Sequence, residues 1–583
     1  MLNFYDFEVF KHDWLVVIIN PVTRIKEVIV NDRERLEQFY NDHKDDEIWI
    51  GYNNRSYDQY IMRGILAGFD PKEINDFIIV EKKKGFQFSK LLREFPFINF
   101  DTLMTNDTGL KGLEGFMGND IRETSVPFDI DRKLTKKEIE ETIKYCTHDV
   151  EQTIEVFLNR KEEFDAKMGL IKIFKLPLSD MGKTNAQLVA KICGGMGTHF
   201  NDEFDFPIVH TLRLDKYSFV RDWYLNPENH DYKKSQIVMV AGIPHTFAWG
   251  GIHGATGTIK TGRTGKVKVE GEPFHGKGCF IMADVTAYYP SMQIQYKWGY
   301  RNMANPENFE MIHSENLRLK KIDKKRRLPF KIADNSMSGQ LKDKYSKLYD
   351  PRENNAICIN GQLLLLDLIE KLEPHIKALM QSNTDGILFE IEDTDEAYQK
   401  VDDIVWEWEQ RTGMRMGFDE YREVFQKDVN NYLLVAPDGS TKAKGAYTKN
   451  LSKLDYDLPI INEAMIAYMT KGTPVEQTIS ACDELIKFQK LVKLSGKFDY
   501  VEHNGRRYDY KCYRVFASRR RSDGQILKCK LGPDGDKKDK FANTPDHCFI
   551  DNGNVNGVKV DSGLDKQWYI DLAKKRLEQY GVR

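Results

Sequence analysis

The chain has no C-x-x-C pair among its 8 cysteines, no apolar run near its start longer than residues 14–19, and almost no net charge. Each absence excludes a class. Cys146, Cys193, Cys279, Cys358, Cys482, Cys512, Cys529 and Cys548 are too scattered for a zinc knuckle or a dense disulfide framework, and read as reduced thiols. A membrane helix needs about 20 consecutive apolar residues, and residues 1–10 lack the basic-then-apolar layout of a secretion signal. The expectation is a cytoplasmic protein with no membrane partner. A formal charge of −3, from 86 Lys plus Arg against 89 Asp plus Glu, offers no overall attraction for nucleic acid, so any such evidence must be local. With 41% apolar and 12% aromatic residues the chain is too rich in core formers for global disorder. Its 583 residues predict three or four domains.

What is present begins with strands. Residues 3–10, 14–19, 26–30 and 47–52 are rich in Val, Ile and aromatics and predict four strands, whereas residues 136–160 predict a helix. That succession implies an α/β layered fold with carboxylates at strand ends. Asp6 and Glu8 are two apart, so a strand projects both from one face. Asn54-Arg55-Ser56-Tyr57-Asp58 follows a strand and opens a helix, and Tyr145 and Asp149, four apart, share a helix face. Singly, each fragment is weak, and a surface carboxylate is its usual explanation. Together they offer hard oxygen ligands suited to Mg²⁺ or Mn²⁺, and two such ions can clamp both oxygens of a phosphodiester displacement.

Residues 242–276 are glycine-rich, including Trp249-Gly250-Gly251, and residues 260–268 form a basic, hairpin-like run. Residues 280–284 predict a buried strand ending on Asp284, followed by Tyr288-Tyr289-Pro290. Residues 382–391 offer the same ingredients in reverse, a turn holding Asp385 and then an apolar strand. On adjacent strands Asp284 and Asp385 would make a second two-metal pair. Between them, residues 318–327 carry seven basic residues opposed only by Asp323, with Lys331 following. A solvated helix face is the bland reading of such a run. On one helix, however, Lys324, Arg327 and Lys331 fall at three- and four-residue steps and aim at one phosphate chain. Pro329 threatens that helix.

The order and spacing of these fragments resemble two known sets of motifs. Asp6-Phe7-Glu8, Asn54 separated by two residues from Tyr57-Asp58, and Tyr145 separated by three residues from Asp149 are similar to the exonuclease motifs of DnaQ-like proofreading domains. Residues 284–291 resemble motif A of family B DNA polymerases (D-x-x-S-L-Y-P-S), residues 331–339 motif B (K-x-x-x-N-S-x-Y-G), and Asn383-Thr384-Asp385-Gly386 motif C (D-T-D-S). Lys444-Gly445-Ala446-Tyr447 is similar to the Lys-x-Tyr element that tracks primer and template, with one extra residue. Ala248-Trp249-Gly250-Gly251 resembles the Y-x-G-G element between exonuclease and polymerase.

The resemblance implies a family B DNA polymerase of phage or mobile-element type with an N-terminal 3′–5′ proofreading exonuclease. The implied fold is α/β and multidomain: an RNase H-like exonuclease domain (1–190), linker and first part of a palm (191–291), fingers (292–340), palm (341–450), and thumb with C-terminal region (451–583). Asp6, Glu8, Asp58 and Asp149 become metal ligands, Tyr145 orients the attacking water, and Asn54 holds the DNA strand end. Asp284 and Asp385 hold two Mg²⁺, with Mn²⁺ as an alternative, while a primer 3′-hydroxyl attacks a deoxynucleoside triphosphate. Lys324, Arg327 and Lys331 neutralise the triphosphate, Tyr289 packs beneath the sugar and excludes a 2′-hydroxyl, and Asn335 lies near the nucleotide. Gly250, Gly251, Lys444 and Tyr447 contact DNA. The implied partners are primer–template DNA, dNTPs and single-stranded DNA at the exonuclease site, for a monomer in the host cytoplasm if phage-encoded, with replication accessory proteins left open.

Several positions depart from the family patterns. Ala287 and Tyr288 replace the Ser-Leu pair of motif A, Ser338 the tyrosine of motif B, Asn383 the first aspartate of motif C, and Ala248 the tyrosine of Y-x-G-G. The second motif C aspartate, essential in the family, is retained as Asp385. Only 47 positions separate Asp284 from Lys331 and 54 separate Lys331 from Asp385, leaving little room for the insertions of protein-primed members. How synthesis is primed stays open. The rival readings are an exonuclease with a polymerase-like DNA-binding half, a primer-independent polymerase, and a noncatalytic scaffold, against which the intact acids argue. Beyond residue 447 the patterns predict helices at 461–470 and 478–495, a strand at 508–517, a basic turn at 519–521, a charged loop at 532–540 and a closing helix at 565–580.

Overall fold

Five strands order the first part of the chain: β1 (Leu2–Val9), β2 (Trp14–Asn20), β3 (Ile25–Val30), β4 (Ile48–Gly51) and β5 (Asn99–Asp101). They lie in the order β3-β2-β1-β4-β5. β1 pairs antiparallel with β2 but parallel with β4, which continues parallel to β5. Val16, Val17 and Ile18 are all buried, the near-continuous apolar run of a strand covered on both faces. The helix Lys136–Asn159 packs on β1 and β2. A capping box starts it: Glu138 N donates to Thr135 Oγ1 at 3.3 Å and Thr135 N to the Glu138 carboxylate at 2.8 Å.

The computed structural model describes residues 1–45, 47–261, 267–533 and 535–582. The chain is mixed α/β and divides into two compact units. The first comprises Met1–Lys183, Leu451–Ile460 and Ser480–Tyr569, and the second Thr184–Asn450, Ile461–Ile479 and Ile570–Arg583. Residues 451–583 thus contribute to both.

The second unit is built on β6 (Gln236–Val240), β7 (Ile243–Phe247), β8 (His253–Ala255), β11 (Phe274–Val285), β12 (Ala378–Asn383), β13 (Gly386–Ile391), β14 (Met416–Asp428), β15 (Asn431–Val435) and β16 (Thr441–Lys444). These form one sheet in the order β16-β15-β14-β11-β13-β12-β8-β7-β6. A side pair, β9 (Gly257–Thr261) with β10 (Val267–Gly271), carries the ends of the basic run, of which 262–266 lie outside the described residues. Along β11 the side chains alternate between two cores. Ile281 and Ala283 join the cluster of the helix Pro351–Leu372 with Leu364 and Trp408, while Phe280 and Met282 join Leu388, Tyr421 and Leu434. Trp408 Nε1 donates to Leu364 O at 2.9 Å, so this buried indole keeps its hydrogen bond.

Two helices, Pro306–Leu319 and Lys324–Gln340, pack together in the same unit. The second runs through Pro329. A proline removes one intrahelical hydrogen bond, and burial of Pro329 and Phe330 offsets that loss. Lys324, Arg327 and Lys331 therefore do share one helix, while Arg318 lies in the last turn of the one before it.

Seven further strands belong to the first unit: β17 (Lys490–Lys493), β18 (Tyr500–His503), β19 (Arg506–Tyr508), β20 (Cys512–Ala517), β21 (Leu527–Lys530), β22 (Lys537–Lys540) and β23 (Cys548–Ile550). They form the sheets β17-β20-β23 and β19-β18-β21-β22 around Val492, Val501, Val515, Ile526 and Phe541. The helix expected over 478–495 is thereby corrected. Residues 475–481 are helical, but 490–493 pair with 512–515 because Val492 and Leu494 gain burial by alternation. Likewise 537–540, expected in a charged loop, pair with 527–530. None of the 8 cysteines is joined in a disulfide among the described residues. Among the described residues no helix is long and apolar enough to cross a membrane.

Candidate metal centres

In the first unit, β1 carries Asp6 and Glu8, the helix Asp58–Ala67 opens on Asp58, and the helix Lys136–Asn159 contributes Tyr145 and Asp149. Asp58 Oδ1 accepts from Phe7 N at 3.2 Å, which joins that helix start to β1 between the two strand acids. The carboxylates converge closely enough to perturb one another. Burial, then the charges of Asp58, Glu8 and Asp149, hold the Asp6 carboxyl well above its ordinary range, and burial, Asp149 and Asp58 do the same to Glu8. Burial pushes Asp58 up to about 7. Asp149 rises to about 6, burial outweighing the nearby lysine.

That lysine was not legible as a site residue. Lys111 Nζ donates to Asp149 Oδ1 at 2.5 Å and to Glu114 Oε1 at 3.0 Å, and lies 4.6 Å from the centroid of the Tyr145 ring. His148 Nε2 is 3.5 Å from Glu114 Oε2. The three-residue step from Lys111 to Glu114 was the one local signal, and such steps are common on helices. Two groups of donors are close enough to hold a cation: Asp6, Glu8 and Cys146, and Glu114, His148 and Asp149, each set within 4.8 Å. Cys146 is a poor member. Burial raises its thiol well above the usual range, and Sγ donates to Asp6 O at 3.3 Å. What remains is mainly carboxylate oxygen, buried and in excess of its single lysine, which is the charge imbalance a divalent ion relieves.

The raised carboxyls make a stability prediction with a definite sign. Between about pH 4 and pH 7 the native chain keeps protons that the unfolded chain has released, so metal-free stability falls as pH rises through that window. Thermal melts in chelator should show a lower melting temperature at about pH 8 than at about pH 5.5, with a shallower slope in Asp58→Asn and, when chelator is replaced by Mg²⁺, in the parent chain. A slope for Asp58→Asn equal to that of the parent would refute the coupling.

In the second unit, antiparallel pairing of β11 with β13 sets Asp284 opposite Gly386, one residue from Asp385. The approach needs glycine: a Cβ at position 386 would lie 2.0 Å from Asp284 Oδ1. Val285 N donates to Asp385 O at 2.7 Å, which clamps the two turns. Ala287 (φ 46°) and Thr384 (φ 47°) adopt left-handed backbone that non-glycine residues rarely accept, a strain typical of functional turns. Desolvation against the sheet end, then the Asp284 charge, raise the Asp385 carboxyl. Lys442 Nζ donates to Asp284 Oδ2 at 2.5 Å and to Asp419 Oδ2 at 3.5 Å. A cation thus already rests on Asp284, and the strand alternation that aims Lys442 at the pair also brings Lys444 near Asp385.

The other expected residues divide. Lys324, Lys331 and Asn335 are exposed on the helix Lys324–Gln340, whereas Arg327 donates from Nε to Asn316 Oδ1 at 2.8 Å. Tyr289 is half-buried and Tyr288 fully so, its hydroxyl donating to Gly361 O at 2.9 Å. Gln362 Nε2 donates to Ala248 O (2.9 Å) and Gly250 O (2.7 Å), and Thr384 N donates to Ile252 O (2.8 Å), so the loop with Gly250 and Gly251 is pinned beside the Asp385 turn. The ring of Tyr447 lies 3.9 Å beneath the Arg576 guanidinium. Asn383 donates to Val429 O at 3.1 Å, a bracing contact. Asn54, expected to hold the DNA strand end, is fully buried, and Nδ2 donates to Asn99 Oδ1 (2.8 Å) and Phe100 O (3.1 Å), tying its turn to β5. No protein-family model and no curated protein matches this chain.

Proposed function

We propose that the protein is a DNA-directed DNA polymerase that extends a primer 3′ end and removes mispaired ends with a 3′–5′ exonuclease. The observation that carries the reading is the juxtaposition of Asp284 and Asp385 by strand pairing in one unit, while the other unit gathers Asp6, Glu8, Asp58 and Asp149. The order β3-β2-β1-β4-β5, with the parallel strands at one edge, supports the RNase H-like reading of the N-terminal part. The antiparallel sheet bearing Asp284 and Asp385 supports a palm, and the helix pair 306–319 and 324–340 supports fingers.

Asp284 and Asp385 would hold Mg²⁺ in the second unit and the four clustered acids would hold it in the first; bound there, it supplies Lewis-acid stabilisation of phosphoryl charge. The four acids of the first unit fit a hard cation, being buried carboxylates that outnumber Lys111, and in the second unit Lys442 rests on Asp284 where a cation would sit. Lys324 and Lys331 are exposed on the helix Lys324–Gln340, as residues that meet a triphosphate must be, and Lys444 adds positive charge beside Asp385. Burial and the neighbouring acids raise the Tyr145 hydroxyl, so it stays a proton donor able to orient a water.

A labelled primer–template incubated with Mg²⁺ tests the reading directly. Addition of dNTPs should lengthen the primer, and their omission should shorten it. A chain that does neither with intact acids is not this enzyme. Tyr289, the accessible member of the tyrosine pair, is expected to set sugar choice. Tyr289→Ala should raise ribonucleotide relative to deoxynucleotide incorporation at least about tenfold, and unchanged discrimination would remove the residue from that role.

A further inference from the structure

The C-terminal strands of the first unit contribute no acid to either centre, yet they enclose the helix Leu110–Phe116 that presents Lys111 and Glu114. Arg514, on β20, is fully buried. Its Nε donates to Gln489 Oε1 at 2.9 Å, one terminal nitrogen donates to Asp551 O (3.3 Å) and Gly553 O (2.5 Å), and the other to Gly115 O (3.1 Å) and Asn119 O (2.8 Å). Gln489 Nε2 donates to Phe116 O at 3.1 Å, Asn556 Nδ2 to Met117 O at 3.1 Å, and Val555 N to Gly118 O at 2.9 Å.

Five consecutive carbonyls, from Gly115 to Asn119, are therefore all taken up by the C-terminal segment. A helix leaves its last carbonyls without intrahelical partners, and a cation is favoured at that end. Every acceptor named for Arg514 is a neutral oxygen, and a guanidinium buried on such terms needs its donors satisfied. Contact continues to the other end of the helix. Lys493 Nζ donates to Thr108 O, and Gly115 lets Leu491 approach so closely that a Cβ would lie 2.8 Å from it.

We propose that residues 489–493, β20 and residues 551–556 form the positioning element of the first metal centre, with Arg514 fixing the helix Leu110–Phe116 so that Lys111 reaches Asp149. The segment would thereby govern how strongly Lys111 competes with a metal ion for that carboxylate and how well the centre hydrolyses DNA. The second of these consequences rests on the exonuclease reading, and the first does not.

The test uses the full chain as parent, Arg514→Gln, Lys111→Ala and the double variant, all also carrying Asp284→Asn and Asp385→Asn for the metal measurement. Mn²⁺ alone is titrated by electron paramagnetic resonance. Lys111→Ala should raise Mn²⁺ affinity about tenfold by removing a competing cation, Arg514→Gln should raise it similarly, and the double variant should go no further. In single-turnover excision of a mispaired 3′ nucleotide, Arg514→Gln should lose about 10- to 100-fold, with no further loss when added to Lys111→Ala. Primer extension, measured with Asp284 and Asp385 intact, should stay within about twofold. Unchanged or weakened Mn²⁺ affinity in Arg514→Gln, or losses that add in full to those of Lys111→Ala, would overturn the proposal. If the parent excises nothing, the exonuclease reading fails while the Mn²⁺ titration still decides the positioning role. Should Arg514→Gln not fold, the exposed Asn556→Ala enters the same cycle, where a smaller shift of the same sign is expected and an additive one refutes.

Discussion

Asp385→Asn is expected to reduce primer extension by at least about 1,000-fold while leaving 3′ excision within about twofold of the parent, and Asp284→Asn to do the same. The effect is large because the two carboxylates are the acids that strand pairing brings to one point in that unit, and an amide cannot supply the lost charge. A factor of 1,000 corresponds to about 4 kcal/mol of transition-state stabilisation, which one lost metal ligand readily removes. Folding is not endangered by the change. Asp284 is half-buried and its partner Lys442 keeps Asp419, while Asp385 contributes a backbone carbonyl that the substitution retains. Extension that persisted in Asp385→Asn would overturn the assignment of this centre.

The reciprocal result is expected from the first unit. Asp6→Ala, and separately Asp149→Asn, should lower excision of a mispaired 3′ end by at least about 1,000-fold and spare extension. Asp6 is the acid whose carboxyl feels Asp58, Glu8 and Asp149 together, so its loss removes the charge that couples to all three. Relief of that repulsion should also hold or raise the melting temperature in chelator, which separates lost chemistry from lost fold. An Asp6→Ala protein that excised normally would show that the acid cluster serves stability or another ligand. Together the two sets of variants distinguish a bifunctional enzyme from an exonuclease with a DNA-binding half, because in the latter the Asp385→Asn protein would match its parent in every assay.

The legible part of the sites was the part written in short-range periodicity. Asp6 with Glu8 could be placed on one strand face, Tyr145 with Asp149 on one helix face, and Asp284 and Asp385 at strand ends, because side-chain direction follows the local backbone period. The lysines were not legible in this way. Lys111 reaches Asp149 across 38 positions and Lys442 reaches Asp284 across 158, and neither pair leaves a pattern in a short window. Asn54 had the right neighbours in sequence, yet its side chain turned inward because β4 and β5 run side by side and their ends needed tying.

Composition and periodicity by themselves determined the α/β character, the early strands, the long helix over residues 136–159, and the shared faces of Asp6 with Glu8 and of Tyr145 with Asp149. They also showed that scattered cysteines exclude a zinc knuckle, whereas a near-zero net charge excludes little about local chemistry. The tertiary structure alone decided that residues 490–493 extend rather than coil, that a helix survives Pro329, and that buried Arg514 clasps the helix bearing Lys111. Those outcomes depend on which distant segment offers burial and hydrogen-bond partners, a free energy of long-range pairing that no local pattern encodes.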